Sequence, residues 1–165
     1  SAMKLVVTGH DSKGNSVFSQ AGEPPRSSSP GSYELWSTDG PLVMPDDTDP
    51  NSPASIGYFP VDGQTCFKIV SVPGLRDRPA EGFTGKMPEN LAKHFDPDDP
   101  EMHTTDTIDY VVILGGRAEL ELDDGRKEVV QAGDCVVQRG TRHAWRVTSD
   151  EPLILAATLV GAKRG

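Results

Sequence analysis

What most constrains this chain is its punctuation: seventeen glycines and fourteen prolines cut 165 residues into short pieces. Short pieces bounded by turn residues read as the strands of an all-β domain. The clearest is 65–72 (TCFKIVSV), where a period of two sets Cys66, Lys68, Val70 and Val72 on one side and Thr65, Phe67, Ile69 and Ser71 on the other. Lys68 is the anomaly on its side. Further strands are expected at 4–8, 16–19, 33–36, 107–114, 118–122, 128–131, 135–138, 143–148 and 152–160. Asp124-Gly125 marks a hairpin turn, because both residues tolerate positive φ. Leu120 and Leu122 are expected inward, Glu119 and Glu121 outward. Many short antiparallel strands with glycine turns predict a sandwich or barrel.

The connections carry signals of their own. Residues 20–32 (QAGEPPRSSSPGS) and the Pro-, Asp- and Ser-dense 40–57 read as surface loops. Asp46, Asp47 and Asp49 lack the alternating ligands, central glycine and distal glutamate of an EF-hand, so a solvated loop is expected there. The connection over 73–101 is long enough to act as a lid or binding loop. Within it only 88–95 (PENLAKHF) has helical character, with proline in the first turn and Glu89 near the positive end. His94 falls there and reads as a surface histidine. No internal repeat and no second domain boundary is visible.

Charge and cysteine use exclude several functions. The formal charge of 16 − 25 = −9 leaves no basic patch to neutralise phosphates, which argues against nucleic acid or a membrane surface as a partner. Cys66 and Cys135 each sit in an apolar run, too far apart for a CxxC motif. A reduced, buried pair is expected rather than a disulfide framework. No N-terminal apolar segment has the length of a signal peptide or a membrane span, so a cytoplasmic protein is expected. Ser1 and Ala2, ahead of Met3, read as an expression scar and are set aside.

Chemistry concentrates between His103 and Trp145. Side chains alternate along a strand, so His103, Thr105, Thr107 and Asp109 share one side, and His143 and Trp145 share a side of a later strand. If a barrel brings these strands together, two imidazoles and a carboxylate meet around a threonine hydroxyl. That is a 2-His-1-carboxylate set able to hold a divalent metal with open positions. The same residues admit a metal-free reading, with His103 and His143 as neutral, hydrogen-bonded side chains or Asp109 paired with His143. Thr105, Gln138, Trp145 and Arg146 are the candidate substrate contacts. Trp145 serves either as an aromatic wall or as core, and Arg146, clustered with Arg139 and Arg142, either clamps a carboxylate or is solvated. Tyr110 faces away from Asp109 and is expected to pack. Phe18, Tyr33 and Trp36 are expected to pack the N-terminal strands onto the sheet or onto a second subunit.

Two motifs in this stretch carry a resemblance. The first reads His103-x-Thr105-x3-Asp109-x6-Gly116, and the second Gly133-x6-Gly140-x2-His143. Together they resemble the signatures of the cupin superfamily, G-x5-H-x-H-x3,4-E-x6-G and G-x5-P-x-G-x2-H-x3-N. Thr105 stands where the family has its second histidine, Asp109 where it has Glu, Gln138 where it has Pro and Val147 where it has Asn. The resemblance implies an all-β, cupin-type double-stranded β-helix (jelly-roll barrel) over 65–160. Residues 3–64 would supply extra N-terminal strands and loops packing on the barrel or a partner subunit, with one short helix and a tail at 161–165.

The resemblance also carries a metal-ligand role onto His103, His143 and Asp109, for iron first and for zinc or manganese next. Thr105 is too weak a donor to be a strong ligand, so occupancy by a metal stays open. It further implies a homodimer and a small-molecule ligand or substrate. The chemistry implied is a metal-assisted lyase or isomerase: decarboxylation, dehydration or proton transfer on a small organic acid or an aromatic or polyketide-like compound. In that picture His143 is ligand or general base, His103 the opposing ligand, Asp109 the third ligand or orienter, and Thr105 a hydrogen-bond donor to substrate. A non-haem iron dioxygenase and a non-catalytic binding cupin are the alternatives, because the fold alone does not choose among them.

Overall fold

A computed structural model describes residues 3–78 and 92–165. The described chain is built from strands: β1 (Leu5–His10), β2 (Ser16–Gly22), β3 (Ser27–Ser29), β4 (Ser32–Asp39), β5 (Gln64–Val72), β6 (Thr107–Gly115), β7 (Arg117–Glu121), β8 (Lys127–Gln131), β9 (Cys135–Arg139), β10 (Ala144–Val147) and β11 (Leu153–Gly161). Single 3-10 turns occupy Leu75–Asp77 and Asp123–Gly125. The first half of the helix expected over 88–95 lies outside the described residues, as does much of the expected lid, while Phe95 pairs with His103 as an isolated bridge. No helix among the described residues is long and apolar enough to cross a membrane.

Two sheets form the barrel of this all-β fold. The larger runs β3-β4-β5-β11-β6-β9 and the smaller β10-β7-β8, while β1 and β2 make a separate hairpin. The alternation seen in sequence decides which face is inside. On β6, Thr107, Val111 and Ile113 are buried while Ile108, Tyr110, Val112 and Leu114 are exposed. On β11, Leu153, Leu155, Ala157 and Leu159 point inward. These meet Ala118 and Val130 from β7 and β8 and Val147 from β10 to form the core. Ile56 and Phe59 reach in from the 40–63 loop to pack against it.

Several expectations are corrected. Residues 20–32 are not a plain loop, since β2 continues through Gly22 and Ser27–Ser29 adds a short strand beside β4. Ladder hydrogen bonds override the weak strand preference of Gly and Ser. Cys66 is buried but Cys135 is exposed, because pairing Val112 with Cys135 puts both on the outer face. Leu122 is 37% exposed rather than inward, since β7 has ended by then, whereas Glu121 is shielded by a salt bridge to Arg146. Tyr110 is 54% and Phe18 75% exposed, so neither packs within the described chain.

The hairpin turn forms as its residues dictate, with Asp124 and Gly125 both at positive φ (61° and 68°). Gly116 matters more. It sits at φ +76°, and a Cβ there would lie 2.3 Å from the Pro152 carbonyl oxygen. We expect Gly116→Ala to lower the unfolding free energy by about 2 kcal/mol, from left-handed strain plus the close contact. Gly14→Ala, at φ +80° with nothing within 4 Å, isolates the backbone cost at about 1 kcal/mol. Urea denaturation of the two variants checks the difference.

Candidate functional site

The histidines are brought together by local backbone pairing. His103 and His143 exchange backbone hydrogen bonds, N–H to O at 2.9 and 3.0 Å, as an isolated antiparallel bridge. Phe95 bridges His103 from the other side. The His103 and His143 rings lie 4.2 Å apart between centroids, with Phe95 4.8 Å from His103 and Trp145 6.1 Å from His143. Gly140, at φ +62°, turns the chain out of β9 toward this bridge.

Both rings are fixed by main-chain acceptors. His143 Nδ1 lies 2.8 Å from the Thr141 carbonyl and His103 Nδ1 3.3 Å from that of Glu101. An Nδ1–H donated to a carbonyl leaves the Nε2 lone pair free on a neutral imidazole. Burial, then the neighbouring His143 and His94, push His103 down to about 3. Burial also lowers His143, against the Thr141 hydrogen bond that raises it. His94, expected to be a surface residue, is half-buried against Phe59 at 4.8 Å, with its own Nδ1 3.2 Å from the Thr104 carbonyl. Two adjacent imidazoles at low dielectric cannot both be charged, so the pair is neutral at ordinary pH.

A second polar chain starts two residues from His103. Thr105 and Thr107 are 4% and 3% exposed. Their hydroxyls lie 2.8 Å apart, and Thr107 Oγ1 donates to Asp109 Oδ1 at 2.6 Å. With its only hydroxyl hydrogen spent on Asp109, Thr107 accepts from Thr105. Thr105 is therefore left as an acceptor, not as the donor to substrate expected from sequence. Burial raises the Asp109 carboxyl above its ordinary range, while the Thr107 hydrogen bond and the charge of Lys68 act against the rise.

The metal set implied by the motifs is not gathered here. Among the described residues, no three His, Cys, Asp or Glu side chains are arranged to hold a metal ion. His103 and His143 meet; Asp109 instead ends the threonine chain and has Lys68 as its charged neighbour. An ammonium beside the third ligand and a hydroxyl in place of the fourth make a poor first shell for a cation. The residues do not fit the three-ligand centre, and the alternative pairing of Asp109 with His143 is not formed either.

The candidate substrate contacts divide between two faces. Gln138, 4% exposed, is the inward Cα partner of Asp109 on β9. Its Oε1 accepts from Thr141 Oγ1, while Nε2 is buried without a partner. Such an orphaned donor marks a place where a ligand oxygen would be stabilised. Trp145 shares the inward side with His143 and packs partly against the core. Arg146 lies on the opposite face, held by Asp99, Glu101 and Glu121. Arg142 similarly pairs with Asp96 and Asp123. These arginines tie the 96–101 segment to the outside of the smaller sheet, which corrects the expectation of a carboxylate clamp at Arg146. The alternation that put His143 and Trp145 on one side already required it.

Sequence reasoning noticed Lys68 without giving it a role. It is 7% exposed on the inner face of β5, donates from Nζ to the Tyr58 carbonyl at 3.2 Å, and lies 4.3 Å from the centroid of the Tyr58 ring. A charged residue on an inward strand face was the available signal.

Residues 93–160 match the family model described as Cupin domain. The Phomopsin biosynthesis cluster protein C' of Diaporthe leptostromiformis is 51% identical over 45 residues, which are 27% of this chain and 24% of that protein. The aligned part thus spans about a quarter of the first relatives' own length. A cupin-domain-containing oxidoreductase of Neurospora crassa, srdB, is 26% identical over 158 residues, 95% of this chain and 72% of that protein. Among solved structures, a Cupin 2 conserved barrel domain protein from Salinispora arenicola CNS-205 aligns at 24% identity over 60% of this chain and 63% of that chain, with a TM-score of 0.34.

Proposed function

Since the chain belongs to the cupin superfamily through the domain of residues 93–160, we propose that its barrel is the active site of a small-molecule lyase or isomerase. The reaction class is proton transfer next to a carbonyl, on a small organic acid or an aromatic or polyketide-like compound. One observation carries this reading: groups on the inner wall have their proton affinities pushed in opposite directions. The histidine pair is held neutral and the Asp109 carboxyl is pushed up. Environments that separate two titratable groups in this way mark out a base and an acid.

The roles follow from the geometry. His143 Nε2 is the general base, because His103, near 3, is too weak a base to take a proton near neutral pH. His103 is a positioning residue that holds the His143 backbone and keeps its ring in an apolar setting. Asp109, raised by burial, is the acid of the pair and ends the Thr105–Thr107 chain. Gln138 Nε2 is a donor placed for oxygen that gains charge during the reaction.

The test is solvent exchange. The protein is incubated in D2O with a panel of small 2-oxo and 3-oxo carboxylates, and loss of the α-proton signal is followed by NMR. Exchange faster than in protein-free buffer is the expected result, and its absence across the panel overturns the reading. The oxidoreductase name of the Neurospora relative favours a second reading, a non-haem iron dioxygenase. Oxygen uptake on adding iron(II) and substrate, without exchange, would select it. Binding of panel members without either reaction would select the non-catalytic alternative.

The same reading takes the protein to be a cytoplasmic homodimer. The outer face of the larger sheet exposes Ile108, Tyr110, Val112, Leu114 and Val137, up to 62% for Val137. No acidic residue projects from this face of β5, β6, β9 or β11. In a chain of net charge −9, an apolar face whose charged side chain on these strands is Arg139 at its edge is where a second copy can approach with little repulsion, and a two-fold would pair it with itself. Tyr110→Glu is expected to convert dimer to monomer in light scattering at micromolar concentration. A wild-type monomer there refutes the dimer.

A further inference from the structure

We infer that Lys68 is the cation of this barrel and that it binds the carboxylate of a small organic acid. The inference concerns the cavity beside Lys68, which the histidine pair does not line, and rests on no catalytic role of the histidines. It starts from burial. An ammonium 7% exposed on an inward strand face costs free energy unless something compensates its charge. One of its three N–H donors is used on the Tyr58 carbonyl, and the Tyr58 and Phe59 rings lie 4.3 and 5.9 Å away. Ring faces support a cation but do not neutralise it. Among the described residues, no carboxylate reaches Lys68 in an ion pair; Glu34, its Cα partner across β4, is exposed, and Asp109 acts on it only through space.

The surroundings leave space for the missing anion. Lys68 faces Ala157 on β11, a methyl where a longer side chain would fill the interior. A cavity of ≈ 190 Å³ opens beside Lys68 between β4, β5 and the 51–58 segment, lined also by Arg26, Glu34, Trp36, Tyr58 and Cys66. Arg26 gives two of its five N–H groups to the Pro50 and Leu35 carbonyls and is only half-buried, which leaves Lys68 as the buried cation of the lining, with two N–H groups to offer. The space is large enough for several waters, and a small ring acid such as benzoate is the probe chosen for it. Charge supplies the second argument. Of the cavity's lining, Lys68 is the buried cation, so the positive charge an acid ligand needs comes from its ammonium.

Benzoate and its uncharged counterpart benzyl alcohol serve as probes in calorimetric titration at low salt. Wild-type protein is expected to bind benzoate at least about tenfold more tightly than benzyl alcohol. Lys68→Met keeps the packing and should weaken benzoate about 10- to 100-fold while leaving benzyl alcohol unchanged. Lys68→Arg should restore most of the loss, and circular dichroism confirms that both variants fold. The titration reads binding and not turnover, so a failed exchange assay and a failed benzoate titration are told apart. No saturable benzoate binding, equal affinity for the two probes, or Lys68→Met binding benzoate as wild type does would each overturn the inference.

Discussion

His143→Ala is expected to slow proton exchange on the responding substrate by about 10²–10⁴-fold, the usual contribution of a positioned general base, while the barrel stays folded. The fold survives because what His143 gives it is main-chain: the reciprocal backbone bonds with His103 do not need the ring. The ring itself contributes one Nδ1–H to the Thr141 carbonyl, and that acceptor is on an exposed residue where water replaces the lost donor. His143→Gln separates base chemistry from shape. It fills most of the space and can bond the same carbonyl, yet has no basic nitrogen, so it should be as slow as alanine. His103→Gln should instead lower the rate modestly, since that ring is too weak a base and acts by holding its neighbour. Exchange measured by NMR, with folding checked by circular dichroism, decides among them. Wild-type rates in both His143 variants would remove the histidine from the mechanism, and equal losses at 103 and 143 would show that the pair works as a unit.

How much of this could be read from sequence depends on the distance over which each determinant acts. Strand positions were legible because a period of two and glycine turns are local: β5, β6, β9 and β11 fall within a residue or two of expectation. The sharing of one face by Thr105, Thr107 and Asp109 was legible for the same reason. What could not be read is which strands are neighbours. Asp109 looked available to His143, but it lies beside Leu159 and Gln138 across the larger sheet, where Lys68 is its charge and Thr107 its donor. Arg146 was legible and misjudged, because motif proximity outweighed the alternation that turned it outward. Cys135 was ambiguous, since the run Cys135-Val136-Val137 is apolar on both faces and only the register with β6 exposes it.

Acid should unfold this protein through its histidines before its carboxylates take part. The folded state holds His103 near 3, against about 6.5 for an imidazole in the unfolded chain. Between those values the unfolded chain binds a proton that the folded chain refuses, so stability is fully present above pH 6.5 and is lost as pH falls. His143, also lowered by burial, acts in the same sense. Asp109 works in the opposite sense: its raised carboxyl keeps a proton that the unfolded chain releases, and so adds stability as pH falls through its folded value. Asp96, lowered by its backbone donors and then by Arg142, loses its contribution only below the ordinary carboxylate range. The window that reports on the histidines is therefore pH 7 to about 4.5, where two units below 6.5 correspond to about 2–3 kcal/mol. Urea midpoints across that window should fall steeply for wild type, and His103→Gln should flatten the profile to the remainder owed to His143. An unchanged slope in His103→Gln would mean that the ring is hydrated in the folded state, and the neutral histidine pair on which the acid–base reading stands would go with it.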